Sequence, residues 1–299
     1  MNKRTLLFLG LFGALILFIG LLIWFFTRPV SGTFEAGNLV GPDRNDLTAI
    51  EMNSDKGTFR LERTDSVWNL VSPVIDRVDQ DKLDAFFRVF GEARLLAPVS
   101  RNPAKFHLFG LDSLSGTIRL TAQDETTSLR IGKTGPDYAS TFIQNESVQE
   151  VWSVAGLISN LIGTVNDYRD KSIFRLKVNT LSAVRVESIS ESLTFNRDST
   201  GWFLSGKKVK EDVFLPFSQN LSRLDGFSIL DTVTTIPATW PQSVKVTATG
   251  PDGQVAVSFY KIPEQLSYAA VVEGSAKILS VNDYLVDRFI KPASYWTEP

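Results

Sequence analysis

The sequence contains no cysteine, which rules out a disulfide framework, a thiolate metal site and a cysteine nucleophile. Histidine is almost as scarce. The single His107 makes a multi-histidine metal site impossible and leaves any Ser-His-Asp triad only one candidate base. It lies in Lys105-Phe106-His107-Leu108-Phe109, among aromatic residues, where a packed or surface role is expected. No G-x-S-x-G, P-loop or dinucleotide fingerprint occurs. Excess positive charge is missing too: the net charge is −2 over 299 residues, which gives no footprint for nucleic acid. The carboxylate pairs Asp79/Asp81 and Glu211/Asp212 stand at the starts of expected helices, where negative charge meets the helix dipole. These absences predict a non-enzyme with no catalytic residue, metal site or cofactor.

Against this background stands one long uncharged run, Leu6–Phe26. As a helix it would reach about 31 Å, the thickness of a hydrocarbon core. The rival reading is a cleavable signal peptide, which needs small residues at its end. Here the run ends in Trp24-Phe25-Phe26, so a retained anchor is expected. Lys3 and Arg4 place the N-terminus in the cytoplasm and the rest of the chain outside it. Trp24 reads either as a headgroup-level indole or as apolar filler. Gly10 and Ala14 form a small-xxx-small pair, the expected contact for a partner helix.

Beyond a Gly-, Pro- and Asn-bearing stalk over 28–46, the sequence repeats itself. An offset of 134 carries Leu47-Thr48-Ala49-Ile50 onto Leu181-Ser182-Ala183-Val184, Trp68 onto Trp202 and Leu70 onto Leu204. A slightly shorter offset carries Ile118–Ala122 onto Val244–Ala248. The expected organisation is a cytoplasmic tip and transmembrane helix over 1–27, the stalk, a first repeat over 47–165, a linker over 166–180 and a second repeat over 181–299. Alternating apolar residues predict strands, with turns at Asp55-Lys56-Gly57, Asp65-Ser66 and Asp198–Gly201. Leu83, Phe86, Phe87 and Phe90 recur at helical spacing behind Asp79 or Asp81 as cap, and Phe214, Phe217, Leu221 and Leu224 do so in the second copy. Closing helices are expected over Ala155–Ile162 and Asp283–Ile290. The predicted fold class is therefore α+β: an N-terminal transmembrane helix followed by two tandem repeats, each an antiparallel sheet with helices packed on one face.

Trp68 and Trp202 read as equivalent core residues, with exposed sugar-stacking platforms as the alternative. Lys207, Lys208 and Lys210 form a basic loop, either simply solvated or an interaction loop for an acidic partner.

Trp68-Asn69-Leu70-Val71-Ser72-Pro73, Phe109-Gly110-Leu111-Asp112, Leu129-Arg130-Ile131-Gly132-Lys133, Tyr138 and Tyr168-Arg169-Asp170-Lys171 occur in an order that resembles a bacterial family known as domain of unknown function 4340. The resemblance covers nearly all of the chain beyond the apolar run, and the second copy departs from it at Ile236–Trp240. It implies a membrane-anchored envelope protein beside ABC-type permeases similar to the gliding-motility transporter, and it offers no catalytic residues. The expected function is a noncatalytic accessory or structural subunit of a bacterial envelope complex in the inner membrane, with its domain in the periplasm or cell exterior. Its expected partners are the lipid bilayer and an integral membrane protein such as an ABC-type permease. The alternative is a periplasmic binding module for a glycan, lipid or peptide.

Overall fold

The computed structural model describes residues 42–112, 116–123 and 125–297. The expected span Leu6–Phe26, with Gly10 and Ala14, lies outside the described residues. Among the described residues no helix is long and apolar enough to cross a membrane.

In chain order, β1 (Leu47–Ser54), β2 (Gly57–Thr64), β3 (Val67–Ser72) and β4 (Asp76–Arg77) precede helix α1 (Gln80–Glu92). β5 (Arg94–Ser100) and a 3-10 turn at Pro103–Phe109 lead to β6 (Gly116–Ala122), β7 (Glu125–Thr134), β8 (Ser140–Asn145) and β9 (Val151–Ala155). Next come α2 (Val165–Tyr168), β10 (Ser172–Phe174), β11 (Ala183–Ser188), β12 (Ser192–Asp198), β13 (Gly201–Leu204), β14 (Lys207–Lys208) and α3 (Glu211–Ser222). β15 (Leu224–Asp225), β16 (Ser228–Ile229), β17 (Gln242–Gly250), β18 (Gly253–Lys261), β19 (Ser267–Val272), β20 (Ile278–Asn282), α4 (Asp283–Val286) and α5 (Ala293–Trp296) complete the chain.

Contacts divide the chain into two compact units. Of the described residues, one unit holds those from 42 to 63 with those between Ala85 and Ile162, and the other holds Thr64–Asp84 with those from Gly163 to Thr297. In the first unit the strand order is β2-β1-β6-β7-β8-β9-β5. Pairing is antiparallel: Ile50 faces Leu61 on one side and Leu120 on the other, and all three are fully buried. Period-2 alternation is what aims them at one face. In the second unit β12-β11-β17-β18-β19-β20-β16 repeats that order, with Val184 opposite Phe195 and Ala248. The outer pair recurs as well, β5 on β9 and β16 on β20.

Asp79 caps α1, accepting from the Lys82 N–H at 3.0 Å, three residues on. The apolar stripe Leu83, Phe86, Phe87 and Phe90 is buried. α3 lays Phe214, Phe217 and Leu221 into an aromatic core, where the Phe217 ring lies 5.3 Å from Phe195, 5.2 Å from Trp296 and 5.4 Å from Phe289. Edge-on pairs of this kind contribute beyond their buried area.

The α+β class expected from the sequence is corrected: antiparallel sheet dominates both units, and of the α-helices among the described residues only α1 and α3 run beyond a single turn. The closing helices are where the expectation fails. Ala155–Ile162 contains only a 3-10 turn at Ile158–Leu161, because Gly156 takes φ +117°, a conformation outside the helical region. Asp283–Ile290 winds a single turn as α4. Over so few residues an i, i+3 apolar spacing suits a tight turn as well as a helix. Leu224, expected on the helix, instead sits in β15.

Candidate functional site

The site is built in the second unit from two segments far apart in sequence. β3 sets the first of them: its pairing puts Leu70 opposite Asp76 and Asn69 opposite Arg77. The second starts at α2, whose entry is fixed by Asp167, the carboxylate accepting from the Thr164 N–H at 2.7 Å and its hydroxyl at 2.8 Å. Burial pushes the Asp167 carboxyl up, but these hydrogen bonds and the nearby Lys82 and Lys171 charges hold it below the usual range. Tyr168 is fully buried, with the Lys82 ammonium 5.4 Å from its ring centroid, and burial raises its phenol. Backbone bonds then lace the segments together: the Asp79 N–H donates to the Tyr168 carbonyl and the Asp170 N–H to the Arg77 carbonyl, each at 2.9 Å, and Val78 bridges Arg169.

This lacing brings Arg169 onto Asp76. Arg169 Nε lies 2.7 Å from Asp76 Oδ2, and the two side chains are 8% and 6% exposed. Lys277 Nζ approaches Asp76 Oδ1 at 2.5 Å and donates to the Asp170 carbonyl at 2.8 Å. Arg169 Nη1 reaches outward to Asp231 Oδ2 at 2.6 Å, and Asp231 is 60% exposed. Desolvation pushes the Asp76 carboxyl up, but hydrogen bonds from Lys277 and Arg169 overcome it, so the group is held below the usual carboxylate range. Desolvation likewise disfavours charge on Arg169, and Asp231 and Asp76 reverse that.

The cluster forms part of the wall of a cleft of about 1130 Å³, with Arg77, Arg175, Ile75, Ile229, Leu230 and Val233 also lining it. Every buried charge here is matched by a neighbour, which makes the cluster an ion-pair network that ties its segments together. Among the described residues no group of three or more His, Asp or Glu is placed to hold a metal.

The residues singled out from sequence fall elsewhere. Lys207 and Lys208 form the two-residue strand β14 rather than a loop. Lys210 precedes α3, and Val209 between them is buried. His107 is exposed on the 3-10 turn. Trp68 is buried at 6% exposure, whereas Trp202 is only partly buried, so equivalent burial does not hold. Trp202 lines a groove of about 430 Å³ with Phe214, Arg197, Lys208 and Glu211. The Phe109–Asp112 and Leu129–Lys133 motifs meet in the first unit as a packing device. Gly110 takes φ +69°, and a Cβ on Gly132 would lie 2.2 Å from the Phe109 carbonyl oxygen.

Sequence reasoning assigned no role to Asp76, Arg169, Asp231 or Lys277. The available signal was the charged run Arg169-Asp170-Lys171 directly after an aromatic residue, but nothing local names its distant partners. Set beside known proteins, the chain matches one family model, Domain of unknown function (DUF4340), over residues 68–248. No curated protein and no solved structure matches it. The chain belongs to that family.

Proposed function

We propose that this member of the DUF4340 family is a noncatalytic accessory subunit of a bacterial envelope complex, anchored to the inner membrane, with its sheet-rich units in the periplasm and an ABC-type permease as its partner. The observation that carries the reading is the cleft chemistry: the buried carboxylate Asp76 is held ionised by Arg169 and Lys277, an arrangement suited to holding shape and recognising charge, not to proton transfer. The uncharged run Leu6–Phe26 supports membrane attachment, and Gly10 and Ala14 on it suit close approach of a partner helix. The test is purification of the native full-length protein in mild detergent. Co-migration of a permease, weakened by Gly10→Leu or Ala14→Leu at unchanged melting temperature, supports the proposal. A lone monomer in several mild detergents refutes it.

A second reading, a periplasmic module binding a glycan, draws support from the part-exposed indole of Trp202 in its groove beside Arg197, Lys208 and Glu211. Saturable glycan binding abolished by Trp202→Ala would favour it.

A further inference from the structure

We infer that Asp231 is an internal stand-in for a partner's carboxylate, and that the cleft takes an extended segment of a partner protein in which acidic and aliphatic side chains alternate. Arg169 has two kinds of neighbour. The inner one, Asp76, is buried and also held by Lys277, so it cannot leave. The outer one, Asp231, sits 60% exposed in the turn after β16 and accepts from Arg169 Nη1 at 2.6 Å. Only the Asp231 end of this pair faces solvent, so water can solvate its carboxylate when it leaves, while the guanidinium, 8% exposed, is left needing another anion. A second carboxylate can therefore take the place of Asp231 on the guanidinium, whose planar fork suits it.

Three further features select the occupant. Arg77 is exposed in the same cleft and makes no ion pair among the described residues, which offers a second cationic contact. Once Asp231 moves aside, and with Arg175 already paired to Asp225, the lining cations Arg77, Arg169 and Lys277 outnumber the remaining carboxylates Asp76 and Asp170, so the cleft is complementary to negative charge. Aliphatic residues stand beside them, with Ile75 89% exposed and Leu230 and Val233 lining the same cleft. At about 1130 Å³ the cleft is larger than a typical small-molecule pocket of roughly 300–1,000 Å³. β16, two residues long and paired with β20, is a sheet edge along the cleft through Ile229, a place where an extended chain can lie.

This inference rests on the docking role proposed above and names the chemistry of the partner's contact. The test uses the full-length protein in mild detergent and a short fluorescent peptide alternating Glu and Val. Its Gln/Val counterpart and inorganic phosphate serve as comparisons. The Glu/Val peptide is expected to bind more tightly than the Gln/Val one, with affinity falling as salt rises. Asp231→Asn should tighten it about five-fold and Arg77→Gln weaken it about five-fold. Both positions are exposed, and matching melting curves establish that the variants fold. Equal binding of the two peptides, absence of binding to both wild type and Asp231→Asn, or no change in either variant overturns the inference. Competition by phosphate at peptide-like concentration would assign the cleft to a small anion and overturn the peptide occupant. Peptide binding without permease co-migration sinks the accessory-subunit reading alone, and the reverse result sinks this one alone.

Discussion

Replacing Arg169 by Met is the sharpest test of how the second unit is held together. The change keeps most of the side-chain volume and removes the guanidinium from a carboxylate only 6% exposed. Taking one partner from a buried ion pair costs about 3–5 kcal/mol, since the remaining charge is left in poor solvent. Here the lower end applies, because Lys277 still approaches Asp76 at 2.5 Å and the Arg77 N–H still donates to it at 2.7 Å. A loss of about 3 kcal/mol corresponds to a fall in melting temperature of about 6–12 °C for a unit of this size. The comparison variant is Arg223→Met, which breaks solvent-exposed pairs with Asp81 and Asp225, the Arg223 and Asp81 side chains both being 59% exposed. That loss should stay below about 1 kcal/mol. Adding Asp76→Leu to Arg169→Met should recover at least half of the Arg169 loss, because the stranded charge is then gone. Circular-dichroism melts of the full chain in mild detergent measure all of these. An Arg169→Met protein melting within about 2 °C of wild type would refute the buried-pair account.

The Asp76 carboxyl is depressed in the folded protein, so its stabilisation should be fully present above the ordinary value of 3.8 and drain away as pH falls below it. Asp76→Asn should flatten that part of an acid-unfolding curve. Gly132→Ala should destabilise the first unit by about 2 kcal/mol or more, since its Cβ meets backbone at 2.2 Å, and a urea midpoint shift reports it. Trp68→Ala should cost about 3–5 kcal/mol and the less buried Trp202→Ala clearly less, so equal losses in paired melts would contradict their different exposures. Asp79→Ala should remove about 1 kcal/mol through the lost cap, measured the same way.

The strands were legible because their signal is local. Thr117–Gln123 carries period-2 alternation and Ser267–Glu273 a continuous apolar run, and the structure places β6 and β19 there. The turns at Asp55-Lys56-Gly57 and Asp198–Gly201 were legible for a similar reason: Gly57 takes φ +116°, and Asp198 accepts from the Thr200 and Gly201 N–H groups at 2.7 and 3.2 Å. The closing helices were misread because the sequence shows apolar spacing but not the φ of Gly156. The charged site was illegible because Asp76 and Arg169 are 93 residues apart and Arg169 and Asp231 are 62 apart. Unit boundaries set by contacts cannot be read from a repeat offset either, since Thr64–Asp84 packs with the second unit although its sequence belongs to the first copy.

The motifs that carry the family resemblance gain a physical meaning from this geometry. The Trp68–Pro73 run supplies the strand whose register delivers Asp76, and Tyr168, by being fully buried, turns Arg169 and Asp170 toward that strand. One motif thus contains Arg169, and the other leads into Asp76, its partner in the buried ion pair. The Phe109–Asp112 and Leu129–Lys133 motifs act likewise, as two halves of the close backbone approach at Gly110 and Gly132. Residues 68–248, matched by the family model, contain Asp76, Arg169 and Asp231 but not Lys277. The inner pair and its exchangeable outer carboxylate therefore lie wholly within the matched stretch. Lys277, which comes from outside it, does the separate work of keeping Asp76 charged when Arg169 engages another anion. With Lys277 in place, exchange at the outer side of Arg169 does not strand Asp76, and the cleft can recognise a carboxylate without loosening the fold that holds it.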